Sequence, residues 1–224
     1  MRSYLAKVFA IVRKDIAAEL RTREVLSSMF VFAVLVMVIF NFAFELKLEN
    51  VEAVAPGVLW VAIAFAGMLG LNRSFITEKD RGCLEGLLLC PVDRSAIYLG
   101  KMVGNLLFMI TMEAIVLPVF GAFFDLPVFG PRLLLIVLLG TVGFAVVGTL
   151  FSAVAVHTRT REVMLPILLL PVAVPVLVAS VKATGEVLAK SPPPTEGPWV
   201  SVLAAFDVIF LTVALLTFEY IFQE

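Results

Sequence analysis

The sequence predicts an all-helical integral membrane domain with six spans, and two observations carry that prediction. Hydrophobic residues make up 61% of the chain and charged residues only 16%, with a mean hydropathy of +1.06, well beyond the range of soluble domains. Six stretches are also long and apolar enough to cross a hydrocarbon core of about 30 Å, which takes about 20 helical residues. They fall at 25–44, 56–75, 96–124, 132–156, 163–181 and 200–222. The gaps between them are too short for a soluble domain, so the reading is one membrane domain over 1–224.

Before the first span, Leu5, Val8, Phe9, Val12, Ile16 and Leu20 recur every three or four residues, with Arg13, Lys14, Glu19 and Arg21 between them. That spacing describes an amphipathic helix over 1–24 lying along the inner leaflet. An ordinary basic flank that orients the first span is the plainer reading, and the two are compatible.

Spans two and three are joined by "TEKDRGCLEGLLLCPVDRSAIYLGK", residues 77–101. Thr77 followed by Asp80 resembles a capping box. Leu84, Leu87 and Leu88 share one face, Glu78, Arg81 and Glu85 the other, and Pro91 ends the segment. A helix over 77–91 results, apolar toward the bundle and mostly acidic toward water. Such a knob suits docking into a soluble partner; a plain interfacial loop helix is the alternative.

Span three places Glu113 near mid-membrane, where a charged carboxylate costs about 2.5–3.5 kcal/mol on insertion scales. Glu113 therefore faces the bundle interior or a partner, in a functional role or as a hydrogen-bonded structural carboxyl. Gly100 with Gly104, and Thr141, Ala145, Gly148 and Ser152 on span four, are small-residue stripes that read as packing seams. Span five holds Pro166, Pro171 and Pro175, each removing a backbone donor and favouring a kink. Asp207 in span six lies toward the outer end, within reach of headgroups or water. The loop "KATGEVLAKSPPPTEGPWV" is a polar, proline-rich connector.

Lys and Arg set the orientation. Arg2, Lys7, Arg13, Lys14, Arg21 and Arg23 precede span one; Arg73, Lys79, Arg81, Arg94 and Lys101 flank the second connection; and Arg159 and Arg161 lie between spans four and five. Only Lys47, Arg132, Lys182 and Lys190 fall on the other side. By the positive-inside rule both termini face the cytoplasm. Trp60 and Trp199 at outer span ends, with Tyr4, Tyr98 and Tyr220 at inner ends, read as aromatic belts of the same topology.

Several classes of chemistry are unsupported. No G-x-x-x-x-G-K-[ST] loop occurs, so ATP hydrolysis by that route falls to another chain. His157 reads as a solvated loop histidine beside Arg159 and Arg161. Cys83 and Cys90 have neither redox nor zinc spacing and read as reduced thiols. No motif points to nucleic acid, and no metal site is expected.

The order of acidic residue, spacer, Gly, x, Leu, Glu, x, Leu-Leu, x, x, Pro and a later Gly-Lys is similar to the segment joining spans two and three of ABC-2 type transporter membrane subunits. With "APGVLWVAIAFAGMLGLNRSF" and "ELRTREVLSSMFVFAVLVMVIFNFAFE" before it and "LPILLLPVAVPVLVAS" after it, the whole chain resembles the heme exporter protein B family, the B component of cytochrome c maturation. The resemblance implies an ABC-2, type V exporter-like fold in the bacterial inner membrane. It also implies a non-catalytic permease subunit whose cytoplasmic ABC ATPase partner, as a dimer, binds the ATP. Further implied partners are a heme-handling membrane subunit, a small single-span subunit, a heme chaperone and membrane lipid. Heme is the implied cargo of the complex, with no cofactor bound directly by this chain, and ATP hydrolysis is tied to release of the heme-loaded chaperone. Carried over by position, Phe75, Glu78, Gly82, Leu84 and Glu85, with Asp80 and Arg81 between them, form the ATPase-coupling segment. Arg81 stands where many members have a second acidic residue. The alternatives are an ABC-2 permease exporting a lipid, glycan or drug, and a non-transporting assembly scaffold.

Overall fold

The computed structural model describes residues 2–43, 51–80, 82, 86, 89, 90, 92–156, 158, 161–189 and 197–221. Its elements are α1 (Arg2–Thr22), α2 (Glu24–Ala43), α3 (Val51–Asp80), α4 (Arg94–Phe124), α5 (Pro131–Ala155), α6 (Arg161–Leu188) and α7 (Trp199–Ile221), with no strand among the described residues. The six helices α2 to α7 are long and apolar enough to cross a membrane, as the hydropathy pattern predicts. Three boundaries move. Helix α3 begins at Val51, ahead of Pro56, and continues past Phe75 to Asp80; α6 continues past Val181 to Leu188. Thr77 is thus inside a helix and starts no new one, because the hydrogen-bonded ladder of span two simply runs on.

Helices α5 and α3 form the centre of the bundle: 72% and 67% of their spans are buried, against 22% for α2 and α7. Lipid gives helices no hydrophobic reason to associate, so close backbone approach and interhelical hydrogen bonds must do it. The small-residue stripe of α5 supplies both. Thr141, Ala145, Gly148 and Ser152 are all buried, Leu71 of α3 fills the notch at Gly148, and Ser152 Oγ donates to the Leu71 carbonyl at 2.7 Å. Asn105 Nδ2 of α4 donates to Thr149 Oγ1 at 3.0 Å.

Two aromatic cues fail as interface markers. Trp60 is 1% exposed, with its Nε1 donating to Thr184 Oγ1 of α6 at 2.9 Å. Tyr98 is also fully buried, its hydroxyl donating to the Val146 carbonyl at 2.9 Å. Both polar tips find partners inside the bundle, so neither ring is held at the headgroups. Pro171 and Pro175 stand on the exposed face of α6, opposite the buried Leu169, Ala173 and Val176, and the helix continues across all three of its prolines.

Helix α1 packs along the start of α4. Ile11 is buried against Gly100, and Tyr4 Oη donates to Ser95 Oγ at 3.1 Å. Its opposite face leaves Leu5, Phe9 and Leu20 exposed, an amphipathic division suited to a bilayer surface.

Candidate functional site

The stripe that α1 turns inward carries acids as well as hydrophobes. Val8, Ile11, Val12, Asp15 and Glu19 recur at helical spacing, which brings Asp15 over Gly104 and beside Lys101 of α4. The absence of a side chain at Gly104 leaves room for that carboxylate.

Lys101 is the hub. It is 2% exposed, and its Nζ lies 3.0 Å from Asp15 Oδ2 and 2.8 Å from Glu78 Oε1. It also donates to the Ser74 carbonyl at 3.3 Å and sits 5.6 Å from the centre of the Phe75 ring. Lys14 completes the cluster, bonding Glu78 Oε1 and lying 3.3 Å from Asp15 Oδ1. Two ammonium groups thus meet two carboxylates at the junction of α1, α3 and α4. A buried charge is tolerable only with such compensation.

Its spacing with Arg81 and Glu85 predicts that Glu78 faces water; instead it is 9% exposed and turned into the bundle, where the two lysines stand. Desolvation pushes its carboxyl upward, but the charge and hydrogen bonds of Lys101 and Lys14 outweigh this and hold it below the usual glutamate range. Lys14 is desolvated too, and Glu78 and Asp15 nevertheless raise its ammonium above the usual lysine value. The signs define a pH window. The Glu78 contribution is complete above about pH 4.3 and is lost as pH falls through the lower folded value; that of Lys14 is complete below about pH 10.4 and is lost as pH rises through its higher one. The contribution of this cluster to the thermal stability of the detergent-solubilised chain should accordingly be constant between these limits and fall on the acid side, and Glu78→Gln should flatten the acid limb. An identical acid limb in that variant would exclude Glu78 as its source.

The end of α3 has further anchors. Phe75 is fully buried, and Lys79 Nζ donates to the Val156 carbonyl at the end of α5 at 2.6 Å. Gly82, at φ 66°, takes its amide back to the Lys79 carbonyl at 3.0 Å, a left-handed turn that a side chain would strain by about 1 kcal/mol or more. Of the other residues predicted for the coupling segment, Asp80 closes α3, while Arg81, Leu84 and Glu85 lie outside the described residues, as does His157.

On the other side, α1 joins α2 through Arg23 at φ 54°. The Arg23 amide bonds the Glu19 carbonyl at 2.7 Å, and Glu19 Oε1 accepts from the Leu26 amide at 2.9 Å. Glu19 thereby caps α2 while belonging to α1. Sequence reasoning missed Lys14, Asp15, Glu19 and Lys101 as a group; the available signal was charge on faces whose neighbours are apolar.

The membrane-embedded acids are apart from this cluster. Glu113 of α4 is buried and its Oε1 accepts from Thr141 Oγ1 of α5 at 2.6 Å. Asp207 does not reach headgroups or water: it is buried, with Oδ1 against Gly143 of α5, because that glycine leaves space for the carboxyl inside the bundle. Neither Asp207 oxygen has a hydrogen-bond partner among the described residues.

Comparison with known proteins fits this architecture. The chain is 28% identical over 181 residues to heme exporter protein B of Pseudomonas aeruginosa, covering 80% of this chain and 81% of that protein. It is 30% identical over 168 residues to heme exporter protein B of Paracoccus denitrificans, covering 74% and 75%. Against the Bradyrhizobium diazoefficiens protein of the same name, identity is 25% over 205 residues, 91% of each chain. Residues 6–221 match the family described as CcmB protein, and the chain belongs to that family.

Proposed function

We propose that this chain is the membrane subunit of a heme-exporting ABC system for cytochrome c maturation, and that it transmits movement from a cytoplasmic ATPase partner into the bundle. Membership of the CcmB family and the name heme exporter protein B carried by the relatives support the first part. The anchoring of the α3 end supports the second: within one helical turn, Glu78 and Lys79 tie it to α1, α4 and α5. The segment beginning at Arg81 is then the lever, and a push on it is delivered to several helices at once. In this reading the termini, the α3 end and the segment around 81–91 face the cytoplasm of the inner membrane, following the Lys and Arg asymmetry. Heme is cargo of the assembly, ATP is held by the partner, and release of a loaded heme chaperone is the output. A heme-handling membrane subunit and a small single-span subunit complete the assembly.

Because Glu78 is committed to the buried cluster, docking is tested at the charges beyond it. Asp80→Lys with Glu85→Lys is expected to lower copurification of the ATPase subunit at least about tenfold, equivalent to about 1.4 kcal/mol, while leaving thermal stability of the membrane chain unchanged. Full retention of the ATPase, with unchanged ATPase rate and chaperone release, would refute the docking assignment.

A further inference from the structure

A cavity of about 290 Å³ opens where α1, α2, α3 and α4 meet, in the angle of the turn at Arg23. Its walls combine Lys14, Glu19, Glu24, Arg73 and Glu78 with the apolar Val25 and Phe108. The volume far exceeds what a single water needs, and the mixture of both charge signs with apolar wall matches neither a simple anion nor an apolar guest. It lies beside the first residue of α2 and the end of the apolar part of α3, the ends of two helices long and apolar enough to cross a membrane.

Two details specify the guest. Glu78 Oε1 takes both lysines, whereas Glu78 Oε2 is buried without a hydrogen-bond partner among the described residues. An unpaired buried carboxylate oxygen is costly, so the site lacks a donor. Arg73, at the mouth, is half-exposed and within the membrane span, and it pairs with Glu24, itself exposed, at 2.9 Å. A guanidinium in that position is suited to a phosphate. Along α3, Glu78 lies about 7.5 Å nearer the aqueous end than Arg73, from the helical rise over five residues. The guest thus presents a donor-bearing cation on the aqueous side and a phosphate on the membrane side.

We infer that this cavity binds the headgroup of phosphatidylethanolamine, its ammonium donating to Glu78 Oε2 and its phosphate meeting Arg73, with Lys14 at the rim. A choline headgroup lacks the N–H donors, and phosphatidylglycerol lacks the cation. The assignment does not rest on the docking of an ATPase.

The test is native mass spectrometry of the full chain in detergent, titrated with phosphatidylethanolamine, phosphatidylcholine and phosphatidylglycerol of matched acyl chains. Phosphatidylethanolamine is expected to form a one-to-one adduct at about tenfold lower concentration than either competitor. Glu78→Gln should abolish the preference over phosphatidylcholine, and Arg73→Gln, at a half-exposed position that leaves the buried cluster whole, should weaken retention of both lipids. Equal retention of the three lipids, or wild-type retention in Arg73→Gln, would overturn the assignment. If soluble glycerophosphoethanolamine displaces the adduct at concentrations similar to the lipid, the ligand is a free headgroup and the lipid assignment fails.

Discussion

Lys101→Met is expected to destabilise the protein by about 3–5 kcal/mol, the range for removing one member of a buried ion pair. Methionine keeps most of the length of the side chain and removes the ammonium, together with its contact with the Phe75 ring, so the loss is chiefly that of the charge. What remains is Asp15 and Glu78, both largely buried, with only the half-exposed Lys14 to share between them. The carboxylates repel across the α1–α3–α4 junction, and α1 has the fewest other attachments through which to resist. The expected result is a lower thermal midpoint together with release of α1. In a Cys83→Ser, Cys90→Ser background, Ile11→Cys should change from protected to readily alkylated when Lys101→Met is added. Desolvation logic also predicts rescue. Replacing Lys101, Glu78 and Asp15 together by Met, Gln and Asn removes the three buried charges, leaves only the half-exposed Lys14 and should recover most of the loss, because the cost lies in the unpaired groups and not in the missing bridge. A single variant with unchanged midpoint and a still-protected Ile11→Cys would show that the cluster does not hold α1 in place.

This cluster marks where reading from sequence stops. Hydropathy is a property of each segment alone, so the six spans and the amphipathic α1 are visible without tertiary information. The orientation of a polar-tipped side chain depends on what stands opposite, and that partner is far along the chain. Trp60 meets Thr184, Tyr98 meets Val146, Asp207 meets Gly143 and Glu78 meets Lys14 and Lys101. Local spacing assigns each of these to an interface or to water, and each goes inward because a distant hydroxyl, carbonyl, glycine notch or ammonium accommodates it. The stripe of small residues on α5 was legible because it needs no particular partner, only one that comes close. Charge on an otherwise burying face is the general clue: Asp15 and Glu19 interrupt the apolar stripe of α1, and Lys101 follows a glycine at the start of an apolar span. Such residues are excluded from water by the same periodicity that identifies the helix, so their counter-charges have to come from neighbouring helices.

The close approach of α5 to α3 predicts three glycine substitutions with different signs. At Gly140, an added Cβ would overlap the outer ring of Trp60, whose Cζ3 would lie 2.8 Å away, and would also press on Ser180 Oγ. Trp60 has nowhere to turn, being 1% exposed and tethered to Thr184, so the backbones themselves must separate. Gly140→Ala is therefore expected to cost about 1–3 kcal/mol or more, as overpacked cores do. At Gly148 the obstruction is the end of Leu71, a flexible side chain, and Gly148→Ala should fall at the low end of that range. Gly57 has nothing within 4 Å of the added carbon, and there alanine should stabilise the helix by up to about 1 kcal/mol. Thermal unfolding of the three variants in one detergent tests the order directly. Combining Gly140→Ala with Trp60→Phe, which withdraws the outer ring, should restore part of the loss and give a favourable coupling energy in a double-mutant cycle. If Gly140→Ala is as well tolerated as Gly57→Ala, α3 and α5 do not pack at this distance.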